Sequence, residues 1–99
     1  MIIYNVTVTV DKDIQQEWLR WMKGVHIPDV MKTKLFVENK MCKVLDDNPT
    51  GTSFAIQYTA KSLDDIIDYQ NNFSKALQAD HTKRYQGKFA AFRTLLEIV

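Results

Sequence analysis

Two histidines are the residues of this 99-residue chain best suited to proton chemistry near neutral pH. His26 stands in "WMKGVHIPDVMKTK", Trp21 to Lys34, between an apolar helical stripe and Pro28. Proline disfavours helix at Ile27, so the chain is expected to break there and restart over Pro28 to Met31. Two roles are open to His26. It can bond the free carbonyls of an ending helix and suit its dipole, or it can act as a general acid or base at a cleft rim, oriented by Asp29. His81 shares a helix face with Leu77 and Ile67, which predicts a core-edge histidine with one hydrogen-bond partner. Tyr85, four residues on, makes with it a pair fitted to ligand contact or acid–base work. Their helices are expected to end at opposite poles of a sheet, so within one chain the two histidines are not expected to share a metal or a reaction centre.

No other constellation carries chemistry. There is no phosphate-binding glycine loop, no metal-binding histidine spacing and no paired carboxylate outside helix starts and turns. No metal and no cofactor are expected. Cys42, the single cysteine, rules out an internal disulfide and has no activating neighbour beyond Lys40 and Lys43.

Thirteen Lys and Arg against twelve Asp and Glu leave a net charge of +1, which supplies no pull towards nucleic acid or an anionic membrane. The 45% hydrophobic content fits one globular domain over residues 1–99, and no apolar run reaches membrane-spanning length. The alternating start "MIIYNVTVTV" reads as a strand and not a secretory leader. The expected compartment is the cytoplasm.

Hydrophobic periodicity then gives the elements. Ile2 to Val10 alternates as a strand, with Tyr4, Val6 and Val8 opposite Asn5, Thr7 and Thr9. A helix follows, capped by Asp11 or by Asp13 in a box with Gln16, with Ile14, Trp18, Trp21, Met22 and Val25 as its stripe and its end bracketed by Gly24 and Pro28. Lys34 to Leu45 is a charged edge strand, bulged around Glu38 to Lys40. Asp46 to Gly51 is a turn, and "TSFAIQYTA" is a third strand. Ser62 with Asp65 opens a helix running to about Tyr85, its stripe Leu63, Ile66, Ile67, Phe73 and Leu77, and "KFAAFRTLLEIV" is the last strand. The order β-α-β-β-α-β predicts an α+β, ferredoxin-like fold, a four-stranded antiparallel sheet with two helices on one face.

The face away from the helices offers Asn5, Thr7, Thr9, Ser53, Ala55, Gln57 and Thr59, with no charge on the two central strands. A second copy of the chain is expected to cover it, making a dimeric α+β barrel with a lumen. Asn5, Gln57 and Arg93 are the polar contacts expected for a ligand there. Alternation leaves the side occupied by Arg93 open, and a structural ion pair competes for it.

The segments "WLRWMKGVHIPDV", "ADHTKRY" and "KFAAFRTLLEIV" together resemble a family of short bacterial proteins catalogued as a domain of unknown function. The most specific pieces are Trp18-x-x-Trp21-Met22, His26-Ile27-Pro28 and Phe92-Arg93-Thr94-Leu95. The chain is also similar to the dimeric α+β barrel superfamily, which includes stress-responsive barrel proteins, ethyl-tert-butyl-ether-degradation-like proteins and small cofactor-free monooxygenases. The resemblance implies the ferredoxin-like fold and a dimer, and no established activity. Some barrel relatives use a histidine near the end of the first helix, so His26 is where a role would transfer. The resemblance also implies a glycine after Thr33, where this chain has Lys34.

The leading expectation is a homodimer binding a small, largely apolar molecule, with His26 as the candidate acid–base residue and Asn5, Gln57, Arg93, His81 and Tyr85 as candidate ligand contacts. The alternatives are a non-catalytic structural or interaction module and, as a lesser reading, a haem-binding barrel with a histidine as axial ligand.

Overall fold

The computed structural model describes residues 1–99. Strands β1 (Ile2–Asp11), β2 (Glu38–Lys43), β3 (Gly51–Ala60) and β4 (Phe89–Glu97) form one antiparallel sheet in the order β2-β3-β1-β4. The two strands with the cleanest alternation, β1 and β3, are thus the central pair. Their register sets Tyr4 against Tyr58, Val6 against Ile56 and Val8 against Phe54. Residues paired across a ladder share a face, so all six point to the helices. Tyr4, Val8, Phe54, Ile56 and Tyr58 are buried there.

The helical layer departs from the expected pair of continuous helices. A 3-10 turn, Lys12–Ile14, precedes α1 (Gln15–Trp21), and neither element has a side-chain cap. The Asp13 capping box is not formed, because the Asp13 carboxylate takes an ion pair with Lys88 at 3.1 Å instead. Gly24 does not end the helix either. Met22–His26 is a π-helical turn, closed by Ile27 N–H donating to the Met22 carbonyl, and α2 (Ile27–Met31) continues from it. Pro28 lies in the first turn of α2, where its missing N–H is tolerated. The second arm divides into α3 (Leu63–Asn72) and α4 (Ser74–Tyr85), hinged at Phe73. Ser62 caps α3, accepting from the Asp65 N–H as its sequence predicts.

Strand β2 is shorter than expected and unbulged, with pairing continuous from Glu38–Thr59 to Lys43–Phe54. On α3 the buried face is Ile66 and Tyr69, while Leu63, Ile67 and Phe73 are exposed. No helix is long and apolar enough to cross a membrane.

Lys34 explains why a glycine would suit its position. Its φ is +64°, the left-handed region, and its N–H bonds the Met31 carbonyl at 3.1 Å, closing the end of α2. A side chain there costs about 1 kcal/mol. Lys34→Gly is therefore expected to raise stability by about 0.5 kcal/mol, the gain reduced by the extra freedom of glycine in the unfolded chain. The urea midpoint should rise, and a lower midpoint would show that this turn does not hold the left-handed conformation.

Candidate functional site

A cavity of about 170 Å³ lies between the sheet and the helical layer. Its floor is Val6, Val8, Ile56 and Ala91 from the sheet, and Met22 and Val30 close it from the first arm. Tyr4, Tyr58 and Tyr69 wall one end, with Tyr4 and Tyr69 edge to face at 5.5 Å. His26, His81, Arg93 and the Gln78 amide supply its nitrogen groups, and Thr82 adds a hydroxyl.

The π turn aims His26 into this space. A π turn adds a residue to the helical repeat. It shifts the phase of everything after Met22, so the inward position due to Val25 passes to His26 and Ile27. Val25 is accordingly exposed, whereas Ile27 is buried. The His26 ring stacks on Trp21 at 5.2 Å and 28°, and the Arg84 guanidinium lies 5.6 Å from the centre of that indole.

The expected separation of the two histidines is wrong: the ring centres of His26 and His81 are 5.8 Å apart. The first arm does not end at His26 but runs on to Met31, and His81 sits one turn before the end of α4. Both rings are therefore inset from the poles, on neighbouring antiparallel helices. His26 is not a helix-end cap, since its ring makes no hydrogen bond to a backbone carbonyl and the helix continues past it. Asp29 does not orient the ring; its carboxylate lies 3.7 Å from Lys32.

His81 is buried and has one hydrogen-bond partner: the Trp18 indole N–H donates to its Nε2 at 2.9 Å. Phe89 packs edge-on against it at 4.4 Å. Tyr85 stands behind the pair, 5.5 Å from His81 and edge-on to Trp21, and does not line the cavity.

Arg93 settles on the helix side because the β1–β4 register sets it opposite Val6. It makes no ion pair; the three in the chain are Lys32–Asp29, Arg84–Glu17 and Lys88–Asp13. The structural ion pair expected to compete for Arg93 is thus absent. The polar trio proposed from sequence is also split. Asn5 and Gln57 are paired with each other on the open face, with the sheet between them and Arg93. Gln57 borders a second cavity there, of about 210 Å³, with Lys40 and Thr59. Asn5 Nδ2 donates to Thr7 at 3.1 Å, and its buried Oδ1 has no partner.

Burial dominates the electrostatics of the cavity. It lowers the His81 pKa to about 4, with His26 and Arg93 pushing the same way. Burial lowers His26 too, assisted by Arg93 and partly offset by Asp29 and Asp80. The phenols of Tyr58 and Tyr69 are raised, again chiefly by burial. At neutral pH both imidazoles and these phenols are therefore uncharged, and Arg93 is the cavity's one charge.

A stability consequence follows. Between an unfolded pKa near 6.5 and the folded value near 4, the unfolded chain binds the proton that folded His81 refuses. Stability therefore falls as pH drops from 6.5 towards 4. Between pH 7 and 5 the loss assigned to His81 is about 1–2 kcal/mol, and His26 adds in the same direction. Urea titrations across this range should show the slope, and H81F should flatten it.

No group of three or more His, Cys, Asp or Glu side chains is placed to hold a metal ion. Cys42 is exposed on the edge strand.

The fold has close likenesses among solved structures. A dimeric ferredoxin-like protein from an uncultured marine organism matches with a TM-score of 0.74 at 10% identity, covering 100% of this chain and 95% of its own. An ethyl tert-butyl ether degradation (EthD) family protein from Bacillus halodurans matches at 0.71 and 12%, over 100% of both chains. A protein assigned to the antibiotic biosynthesis monooxygenases, from Deinococcus radiodurans, matches at 0.71 and 14%, over 100% and 93%. At these identities the likeness establishes the ferredoxin-like fold. None of the curated protein sequences matches the chain. Over its whole length, residues 1–99, the chain belongs to the family described as a domain of unknown function, DUF4286.

Proposed function

We propose that each chain binds one small, largely apolar molecule in the cavity between its sheet and helices, and that two chains pair through their open sheet faces. One observation carries the binding reading. Two uncharged imidazoles and an arginine without an ionic partner converge on a single aromatic-walled cavity. A structural filler role predicts a packed interior and a His26 tied to backbone, and neither holds. The volume sets the scale of the ligand. A cavity of roughly 150 Å³ accepts benzene, so about 170 Å³ suits a molecule of one ring. A tetrapyrrole is several times larger, which disfavours haem. His26, with no hydrogen bond on either ring nitrogen, is the group to take a proton from a bound molecule that has an acidic hydrogen.

The pairing reading rests on the open face. Phe92, Leu96 and Ile98 are exposed there or at its margin, 62%, 40% and 52% respectively, beside central strands whose only charge on that side is Asp11 at the end of β1. Two of the structural neighbours are described as dimeric, which supports the same arrangement.

Native mass spectrometry on protein purified gently from its own source tests both parts. The expected species has twice the chain mass and carries one small adduct per chain. A dimer from which no adduct can be recovered, even after soaking with one-ring aromatics, would remove the binding half. A monomer would remove the pairing half.

A further inference from the structure

The nitrogen groups of the cavity are not equivalent, and Trp18 is the reason. An indole N–H can only donate. Its bond to His81 Nε2, at 2.9 Å and buried, therefore requires a lone pair on that nitrogen. In a neutral imidazole the proton then belongs to Nδ1. His81 lines the cavity, and Nδ1 makes no hydrogen bond within the chain. Arg93, which lines the cavity from an exposed position, likewise has donors only, and no carboxylate pairs with it.

We infer that Trp18 is a positioning residue that fixes His81 as an Nδ1–H donor, so that the cavity selects a molecule bearing an acceptor oxygen, a carbonyl or carboxylate, held between His81 and Arg93. This deepens the binding reading above and rests on it. Gln78 and Thr82 also line the space, but the two groups fixed as donors, His81 Nδ1–H and the Arg93 guanidinium, disfavour a cationic ligand and leave a bare hydrocarbon with an unmet Nδ1–H. They reward an oxygen with lone pairs. The same bond removes His81 from proton transfer, because the lone pair that would accept a proton is already held by the indole. Burial acts in the same sense by keeping the ring uncharged. The division of labour is then complete: His81 and Arg93 hold the oxygen, and His26 alone is free to accept a proton.

The test has two independent readouts on the full chain. Long-range ¹⁵N–¹H spectra of the histidine rings at pH 7 report the tautomer. His81 is expected to show a protonated Nδ1 and a bare Nε2. W18F should move it towards the Nε2–H form that free imidazole side chains prefer. Affinities for acetophenone and ethylbenzene, which differ by one carbonyl oxygen, report the ligand class. Wild type is expected to favour acetophenone about tenfold. R93L should cut that preference without altering the tautomer. If W18F fails to fold, the wild-type spectrum and R93L still decide. An Nε2–H His81 in the wild type overturns the inference whatever the probes do. Equal affinity for the two probes overturns the ligand class. If neither probe binds, the binding reading itself falls and takes the ligand class with it, while the tautomer is judged on the spectrum alone.

Discussion

Trp18→Ala is expected to cost about 4–5 kcal/mol, the largest loss from any single side chain in the molecule. Trp18 is fully buried, packs 5.1 Å from the Phe54 ring and bonds His81. Truncation removes the apolar area, leaves a void that sheet and helix cannot both collapse into, and strands the His81 acceptor. Domains of this size have only about 5–15 kcal/mol in total, so the variant should be substantially unfolded well below the wild-type melting range. Trp18→Phe keeps most of the volume and should cost about half as much. Urea midpoints for the two variants check this, and a loss below about 2 kcal/mol for the alanine would mean that the Trp18 wall is not a principal support of the core.

Phe92→Lys should break the pairing of chains while leaving each one folded. Phe92 is 62% exposed in the single chain and opposite Thr7 on the open face, so no core contact is lost when it changes. In the paired state the lysine ammonium would be buried without a partner, twice over by symmetry. An unpaired buried charge costs several kcal/mol, which corresponds to a weakening of at least 100-fold in the dimer Kd. Sedimentation equilibrium should show monomers with an unchanged circular dichroism spectrum. A variant that stays dimeric at the same concentration would place the pairing surface elsewhere, and the exposed Leu63, Ile67 and Phe73 of the second arm would be the next surface to alter.

The sheet was readable from sequence because strand periodicity has only two phases. Once Val6 and Val8 are assigned to one side, Asn5 and Thr7 can only take the other, and the observed register agrees. Helical phase is more fragile. The π turn at Met22–His26 has no composition of its own, yet its one extra residue moves Val25 out and His26 in. Pro28 read as a break because proline restrains the residue before it, but at the second position of a helix it is compatible with continuation. The second arm shows the same sensitivity. With the arm divided at Phe73, α3 keeps Ile66 inward as the stripe expected but turns Tyr69 in beside it, while Leu63 and Ile67 of the same stripe are exposed. The cavity was missed for these reasons together. Its members come from seven elements, and their convergence depends on a helical phase shift and on the β1–β4 register that turns Arg93 towards the helices. The single-partner reading of His81 needed neither, since its apolar face alone demands a satisfied nitrogen.

Where a bound molecule sits can be seen by mapping ¹³C and ¹⁵N chemical-shift changes as acetophenone is titrated into the wild-type protein. Occupation of the cavity predicts the largest changes at the Met22 methyl, at Val8 and Ile56, and at the His26 and His81 rings, with smaller ones at Arg93. Changes confined to Ile3, Ala55, Gln57 and Phe92 would put the ligand on the open sheet face, and would contradict a binding site built from the two histidines and Arg93.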